Sequence, residues 1–127
     1  QVEPALPSDT LVFITDFPAS QAALAQITKN ADGVPVAQRF ELFFNGTELA
    51  NGYFELTDPD EQRQRFQQER ERGTLDLERP IDGNLLAALQ AGLPSCAGVA
   101  MGLDRLLMHH EQTKCIADVL SFDWTRA

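Results

Sequence analysis

The feature that most constrains this chain is an alternating segment that ends at Asn45-Gly46. From Val36 onward, polar and apolar residues alternate with the two-residue period of a strand. The residues on one predicted face are Phe40, Leu42 and Phe44, and those on the other are Arg39, Glu41 and Phe43. Asn-Gly is the preferred pair for a two-residue turn between antiparallel strands. The sequence therefore predicts a hairpin, with Thr47 to Thr57 as its return strand.

Local signals elsewhere predict helices and further strands around this hairpin. Strands are expected at 10–15 and 97–102, and helices at 20–28, 58–72, 84–91 and 103–110. Asp58 followed by Pro59 is typical of a helix start, and Gly73 of a helix end. Strands interleaved with surface helices indicate an α+β fold, an antiparallel β-sheet flanked by helices.

Composition excludes several classes of protein. The 127 residues suffice for one globular unit, and 10 Lys and Arg against 19 Asp and Glu give a net charge of −9. Such a balance predicts no direct nucleic-acid binding, since phosphate contacts need clustered cations. No apolar run reaches the roughly 18 residues of a membrane span. Cys96 and Cys115 show no metal-ligand spacing, so we expect reduced thiols and a cytoplasmic location.

A two-residue turn would place Glu41 and Glu48 on one face of the hairpin. Phe43 then pairs with Glu48 and Glu41 with Ala50, which makes the two glutamates diagonal neighbours roughly 7–8 Å apart at the backbone. Two carboxylates at that spacing can hold one divalent cation. Leu42 and Leu49 would form the opposite, apolar face.

Along the return strand, the apolar position expected to be buried is odd-numbered at Leu49 but even-numbered from Phe54 onward. A bulge at Gly52, which adds one residue to the strand, would explain this change. Such a bulge would bring three further side chains to the face of Glu41 and Glu48, namely Asn51, Tyr53 and Glu55. The alternative is that these acids only keep a half-exposed sheet soluble. Mutual repulsion of unpaired carboxylates favours a binding site.

A second unusual segment runs from Gly98 to Arg105. One face of the predicted strand carries only Gly98, Ala100 and Gly102, so a flat ligand or another backbone can lie against it. Arg105, at the start of the next helix, could present its guanidinium to phosphates. The alternative is tight packing of strand on helix, with Arg105 as a surface charge.

Together these segments resemble the catalytic core of class II aminoacyl-tRNA synthetases of the lysyl subgroup. The run from Glu48 to Leu56, ELANGYFEL, is similar to that subgroup's hallmark strand. Gly98 to Arg105 is similar to motif 3, of the form G-x-G-x-G-x-(D/E)-R. Shorter matches at 39–42, 61–62 and 65–66 extend the resemblance across most of the chain.

The resemblance implies a site for ATP. Glu41 and Glu48 would hold Mg²⁺ on the ATP phosphates, and the backbone around Glu48 and Leu49 would touch the nucleotide. Gly102 would let adenine lie close. Arg105 would clamp the terminal phosphates and is the expected catalytic residue.

It also implies a site for a lysine-type amino acid. Glu55 would pair with the side-chain ammonium, Tyr53 would cover the aliphatic stem, and Asn51 would bind near the carboxylate. Ala100 stands where true synthetases have glycine, which places a methyl group in the amino-acid pocket. This departure, with the segment 17–22, resembles the paralogue group that adenylates (R)-β-lysine and transfers it to a lysine of elongation factor P.

Motifs 1 and 2 of the family are not found in residues 1–127, which we therefore expect to be the C-terminal portion of a catalytic domain. The portion alone should be inactive and should leave apolar surface uncovered, and the parent protein should be a homodimer. Two alternatives stay open. One is a fragment of a lysyl-tRNA synthetase that charges tRNA, and the other is a non-catalytic paralogue that binds an amino acid or nucleotide.

Overall fold

The computed structural model describes residues 5–73 and 80–125. Its strands are β1 (Leu11–Pro18), β2 (Ile27–Lys29), β3 (Pro35–Phe44), β4 (Thr47–Phe54) and β5 (Ala97–Met101). Its helices are α1 (Pro59–Glu71), α2 (Gly83–Ala91) and α3 (Leu103–His110). The strands form an antiparallel sheet in which β1, β3, β4 and β5 are successive neighbours, while β2 also pairs with β3. The predicted α+β class is confirmed.

The Asn45-Gly46 hairpin forms as predicted. Both turn residues have positive φ, 50° for Asn45 and 72° for Gly46, as the turn that matches the twist of two antiparallel strands requires. The Asn45 side-chain oxygen also accepts a hydrogen bond of 2.6 Å from the backbone N–H of Asp9. The turn therefore fixes which residues of β3 and β4 face each other.

The chain divides into two compact units, and the described part of the first comprises residues 5–15, 40–52 and 99–125. It contains α3 and parts of β1, β3, β4 and β5. The buried apolar side chains in this part of the hairpin are Phe43, Leu49 and Ala50. Phe43 also lines the cavity that holds Glu41 and Glu48.

The first unit also exposes many large apolar side chains. Those more than half exposed are Leu11, Phe13, Val99, Leu103, Phe122 and Trp124. Exposed apolar side chains, as expected from the sequence, are thus present. That they face the rest of a catalytic domain stays a prediction.

The second unit comprises residues 16–39, 53–73 and 80–98 in its described part. In it β2 pairs antiparallel with β3, with Ile27 opposite Ala37 and Lys29 opposite Pro35. A small cluster of buried alanines, against which Phe17 and Tyr53 pack, consists of Ala22, Ala25 and Ala37. Small residues here let β2, β3 and the chain before β2 approach closely.

The two longer helices begin where the sequence predicts. The Asp58 carboxylate accepts hydrogen bonds from the backbone N–H groups of Asp60 and Glu61 at the start of α1. Asp82 caps α2 in the same way. Gly73, just after α1, has a φ of 71°, the conformation that favours glycine at a helix end. No helix in the described ranges is long and apolar enough to cross a membrane.

The helix predicted at 20–28 is wrong. The structure has one short 3-10 turn at Ala19–Gln21, followed by Ala23 with a φ of 49°, which ends any helix. The Arg65 guanidinium binds the carbonyls of Ala23 and Ala25, at 2.9 Å and 2.7 Å. Leu24 offers its carbonyl to the N–H of Leu56 at 2.8 Å. The N–H of Ala25 donates to the Ala22 carbonyl at 2.8 Å, which closes a turn. Because distant residues engage the carbonyls of this segment, they do not bond to N–H groups within a helix.

Candidate active site

A cavity of about 470 Å³ lies in the first unit beside the hairpin turn. The residues that line it are Glu41, Phe43, Gly46, Thr47, Glu48 and Arg105. Glu41 and Glu48 thus lie on the same cavity, as the predicted pairing of the hairpin requires. Arg105, which comes from α3, adds a cation to this acidic wall.

Glu48 has partners at both its side chain and its backbone. The Asn51 side-chain amide donates to Glu48 Oε1 at 3.0 Å. Arg105 Nη1 donates to the Glu48 carbonyl at 2.8 Å and lies 4.0 Å from Glu48 Oε2. With the Arg105 side chain 49% exposed and that of Glu48 33% exposed, water reaches both groups. An incoming ligand can therefore exchange with these contacts at small cost.

Gly102 joins β5 to the hairpin at the base of α3. Its N–H donates to the carbonyl of Leu49 at 2.8 Å. A Cβ added at Gly102 would lie 3.3 Å from Cδ of Arg105, which is a tight contact. The glycine thus leaves room for the aliphatic part of Arg105, a role that the resemblance does not supply. Ala100, two residues earlier in β5, is exposed.

Glu55 lies in the second unit, and its backbone is fixed on two sides. Its N–H donates to the Cys96 carbonyl at 2.9 Å, and its carbonyl accepts from the Gln26 side-chain amide at 3.0 Å. An isolated bridge pairs it with Ala25. Its carboxylate lies against Gly98, where an added Cβ would be 2.6 Å from Glu55 Oε1.

Tyr53, also in the second unit, is one of two aromatic residues near the guanidinium of Arg39. The guanidinium carbon of Arg39 lies 4.5 Å from the centre of the Phe17 ring and 5.6 Å from that of Tyr53. Both distances fall within the range of cation–π attraction. Arg39 Nη1 also donates to the Gln21 carbonyl at 3.0 Å. The orientation of Tyr53 is therefore coupled to the segment from Phe17 to Gln21.

The carboxylates that line the cavity are the candidate ligands for a metal ion. Among residues 5–73 and 80–125, no three or more His, Cys, Asp or Glu side chains are grouped to hold a metal ion. Two carboxylates on one cavity fit Mg²⁺ bound together with substrate phosphates, because Mg²⁺ commonly uses only one or two protein carboxylates and keeps water ligands. They do not fit a cation that needs a complete cage of protein ligands.

The predicted residues thus fall into two groups, one in each unit. The first unit holds Glu41, Glu48, Leu49, Asn51, Ala100, Gly102 and Arg105, and the second holds Tyr53 and Glu55. The bulge at Gly52 stays a prediction. The sequence interpretation gave no role to Gly98 beside Glu55, to Gln26 on its carbonyl, or to Arg39. The pattern of Gly98 did indicate close approach of another group, but not which group.

Comparison with known proteins identifies the family. Residues 6–126 match the family described as tRNA synthetases class II (D, K and N), and the chain belongs to that family. Within it, the chain is 53% identical over 128 residues to the elongation factor P–(R)-β-lysine ligase of Pectobacterium carotovorum. The ligases of that name from Sodalis glossinidius and Klebsiella pneumoniae are 52% and 51% identical.

The similarity covers the whole of this chain but only a part of each relative. Each of the three matches spans 99% of this chain and 39% of the relative's length. The chain therefore corresponds to about two-fifths of a ligase of this kind.

Proposed function

We propose that this chain is the C-terminal portion of the catalytic domain of a ligase that activates a lysine-type amino acid with ATP. The substrate is (R)-β-lysine, and the acceptor is a lysine side chain of elongation factor P. The observation that carries the proposal is that Glu41, Glu48 and Arg105 line one and the same cavity, in a chain more than half identical to ligases of that name. The parent protein is proposed to be a cytoplasmic homodimer.

In the proposed reaction the amino-acid carboxylate attacks the α-phosphorus of ATP, and pyrophosphate leaves. An aminoacyl adenylate results. The uncharged ε-amine of the acceptor lysine then attacks the activated carbonyl, releases AMP and loses a proton. Adenylation needs no general base, because the attacking carboxylate is already ionised. The protein therefore contributes positioning and charge neutralisation.

Glu41 and Glu48 are proposed to hold Mg²⁺ on the ATP phosphates. The ion would supply charge neutralisation at the phosphates and would orient pyrophosphate as the leaving group. Glu48 now accepts a hydrogen bond from Asn51, which keeps its carboxylate oriented. Leu49 contributes backbone to the nucleotide site.

Arg105 is proposed to clamp the terminal phosphates. Its guanidinium now donates to the Glu48 carbonyl, which holds it at the wall of the cavity. A planar, forked guanidinium suits phosphate oxygens. Gly102 supports this role by leaving room for the side chain of Arg105, in addition to its proposed place beside adenine.

The amino acid is proposed to bind through four further residues. The Glu55 carboxylate takes the side-chain ammonium, Tyr53 covers the aliphatic stem, and Asn51 binds near the carboxylate. The Ala100 methyl group narrows the pocket in a way that favours a β-amino acid. The backbone contacts of Glu55 support a binding role, because they restrict where its side chain can reach.

The test is ATP–pyrophosphate exchange by the purified full-length parent protein, with L-lysine and (R)-β-lysine compared. We expect exchange with (R)-β-lysine in preference to L-lysine, and acylation of elongation factor P when it is added. A preference for L-lysine with charging of tRNA would indicate a lysyl-tRNA synthetase instead. No exchange with either amino acid would indicate a non-catalytic paralogue.

A further inference from the structure

Gly98, the second residue of β5, faces the carboxylate of Glu55. A Cβ built at Gly98 would lie 2.6 Å from Glu55 Oε1 and 3.7 Å from Glu55 Cδ. Non-bonded heavy atoms rest at roughly 3.5–4.0 Å, so a methyl group cannot share this space with the carboxylate. The Glu55 carboxylate occupies the place that a side chain at position 98 would fill.

The backbone of Glu55 is restrained on both sides by hydrogen bonds. Its N–H is bound to the Cys96 carbonyl at 2.9 Å, and its carbonyl is bound to the Gln26 amide at 3.0 Å. Cys96 precedes Gly98 by two residues, so the same stretch of chain holds the backbone of Glu55 and receives its carboxylate. The side-chain torsions of Glu55 are therefore the part that adjusts most easily.

We infer that Gly98 is a specificity-determining residue, because its missing side chain sets the position of the Glu55 carboxylate and so the length of substrate that can reach it. Since Glu55 is proposed to bind the ammonium group, this role of Gly98 rests on the proposed function. A methyl group at position 98 moves the carboxylate away from β5. The displaced carboxylate leaves less room for the aliphatic stem of the substrate.

Gly98→Ala in the full-length parent protein tests this role. The clash is with the far end of a flexible side chain, so the fold should persist while the carboxylate moves. We expect the KM for (R)-β-lysine in ATP–pyrophosphate exchange to rise about tenfold, while the KM for ATP stays within about twofold. Fit of one methylene in a pocket is worth about 10- to 200-fold in selectivity. L-ornithine, shorter than L-lysine by one methylene, should therefore gain relative to L-lysine.

Gly83→Ala is the matched control. An added Cβ at Gly83 meets nothing within 4 Å, and the residue starts α2, away from the proposed site residues in sequence. We expect this variant to match wild type in both KM values and in ornithine selectivity. Equal KM values for Gly98→Ala and Gly83→Ala would overturn the role of Gly98.

A second substitution separates the specific contact from a general loss of structure. Glu55→Asp shortens the side chain by one methylene and withdraws the carboxylate from position 98. If the contact matters, the double variant Gly98→Ala/Glu55→Asp loses no more activity than the worse single variant, which is a non-additive result. Multiplied losses would overturn the inference.

Loss of folding in Gly98→Ala and loss of activity in the wild type can be told apart. If Gly98→Ala fails to fold, recovery of folding in the double variant supports the contact, and continued unfolding overturns it. If the wild-type parent exchanges no lysine-type amino acid, the proposed function falls and the role of Gly98 falls with it. An active wild type with an unchanged Gly98→Ala variant overturns the role of Gly98 alone.

Discussion

Glu48 in β4 and Glu55 just after it belong to the same run of sequence, but their carboxylates are held differently. The Glu48 carboxylate accepts from the side chain of Asn51 and lies near that of Arg105, with water close by. The backbone of Glu55 is bound at both its N–H and its carbonyl, and its carboxylate lies against Gly98. The Glu48 carboxylate can exchange partners, whereas Glu55 projects from a backbone that is fixed by hydrogen bonds.

This difference suits the two ligands proposed for them. A metal–nucleotide complex brings its own charges and must displace contacts as it enters, so a carboxylate with exchangeable partners is appropriate. A small amino acid offers few groups to recognise, and a carboxylate on a fixed backbone has fewer positions to search when it meets the ammonium. Preorganisation of this kind converts binding energy into selectivity.

The largest expected effect comes from removing the charge of Glu48, the carboxylate with exchangeable partners. Glu48→Gln keeps a hydrogen-bonding side chain but removes the negative charge that Mg²⁺ needs. We expect ATP–pyrophosphate exchange by the parent protein to fall by about 10²- to 10³-fold, with a raised requirement for Mg²⁺. Asp32→Asn, in an exposed turn, is the control. A Glu48→Gln variant with normal exchange and normal Mg²⁺ dependence would contradict the metal role.

Removing the charge of Glu55 should weaken binding of the amino acid and leave binding of ATP unchanged. Glu55→Gln leaves the substrate ammonium without its partner, and we expect the KM for (R)-β-lysine to rise about 10²-fold. The KM for ATP should stay close to that of wild type. A similar rise in both KM values would mean that Glu55 maintains structure and does not recognise the cation.

Ala100 is proposed to affect which amino acid binds beside Glu55. Ala100→Gly removes the methyl group proposed to narrow the pocket, and we expect selectivity to shift about tenfold towards L-lysine. Ala97→Gly, in the same strand and also exposed, controls for added backbone freedom. An unchanged ratio of L-lysine to (R)-β-lysine would count against the role of Ala100.

Arg39 should give the smallest effect, because it acts through Tyr53. Arg39→Met keeps an unbranched apolar stem but removes the guanidinium charge that the rings of Phe17 and Tyr53 attract. We expect the KM for the amino acid to rise about three- to tenfold, with partial rescue in Arg39→Lys. Arg63→Met, at an exposed position of α1, is the control. Rescue by lysine tests the cation itself, since loss of packing alone would not respond to it.

Local sequence signals predicted the parts of the fold that depend on local chemistry. The Asn45-Gly46 turn, the cap at Asp58 and the helix Leu103–His110 all form because each is specified by neighbouring residues. The helix predicted at 20–28 fails because Arg65, about forty positions away, binds carbonyls in that segment. Propensity cannot register a partner so distant in sequence.

In the candidate site, too, the features set by local sequence were predicted and the contacts between distant segments were not. Hairpin geometry alone placed Glu41 and Glu48 on one face, and they line one cavity. The contact of Gly98 with Glu55 and the stacking of Arg39 on Phe17 and Tyr53 join segments far apart in sequence. The residue pattern of one strand can show that a glycine leaves space beside the strand, but it cannot show which side chain fills that space.

The most direct test of the two-glutamate account is equilibrium binding to the full-length parent protein and to two variants. Titration calorimetry would measure a non-hydrolysable ATP analogue with Mg²⁺, and separately (R)-β-lysine, against wild type, Glu48→Gln and Glu55→Gln. The account predicts that Glu48→Gln loses affinity for the nucleotide and keeps the amino acid, while Glu55→Gln does the reverse. Equal losses of both ligands in either variant would contradict it.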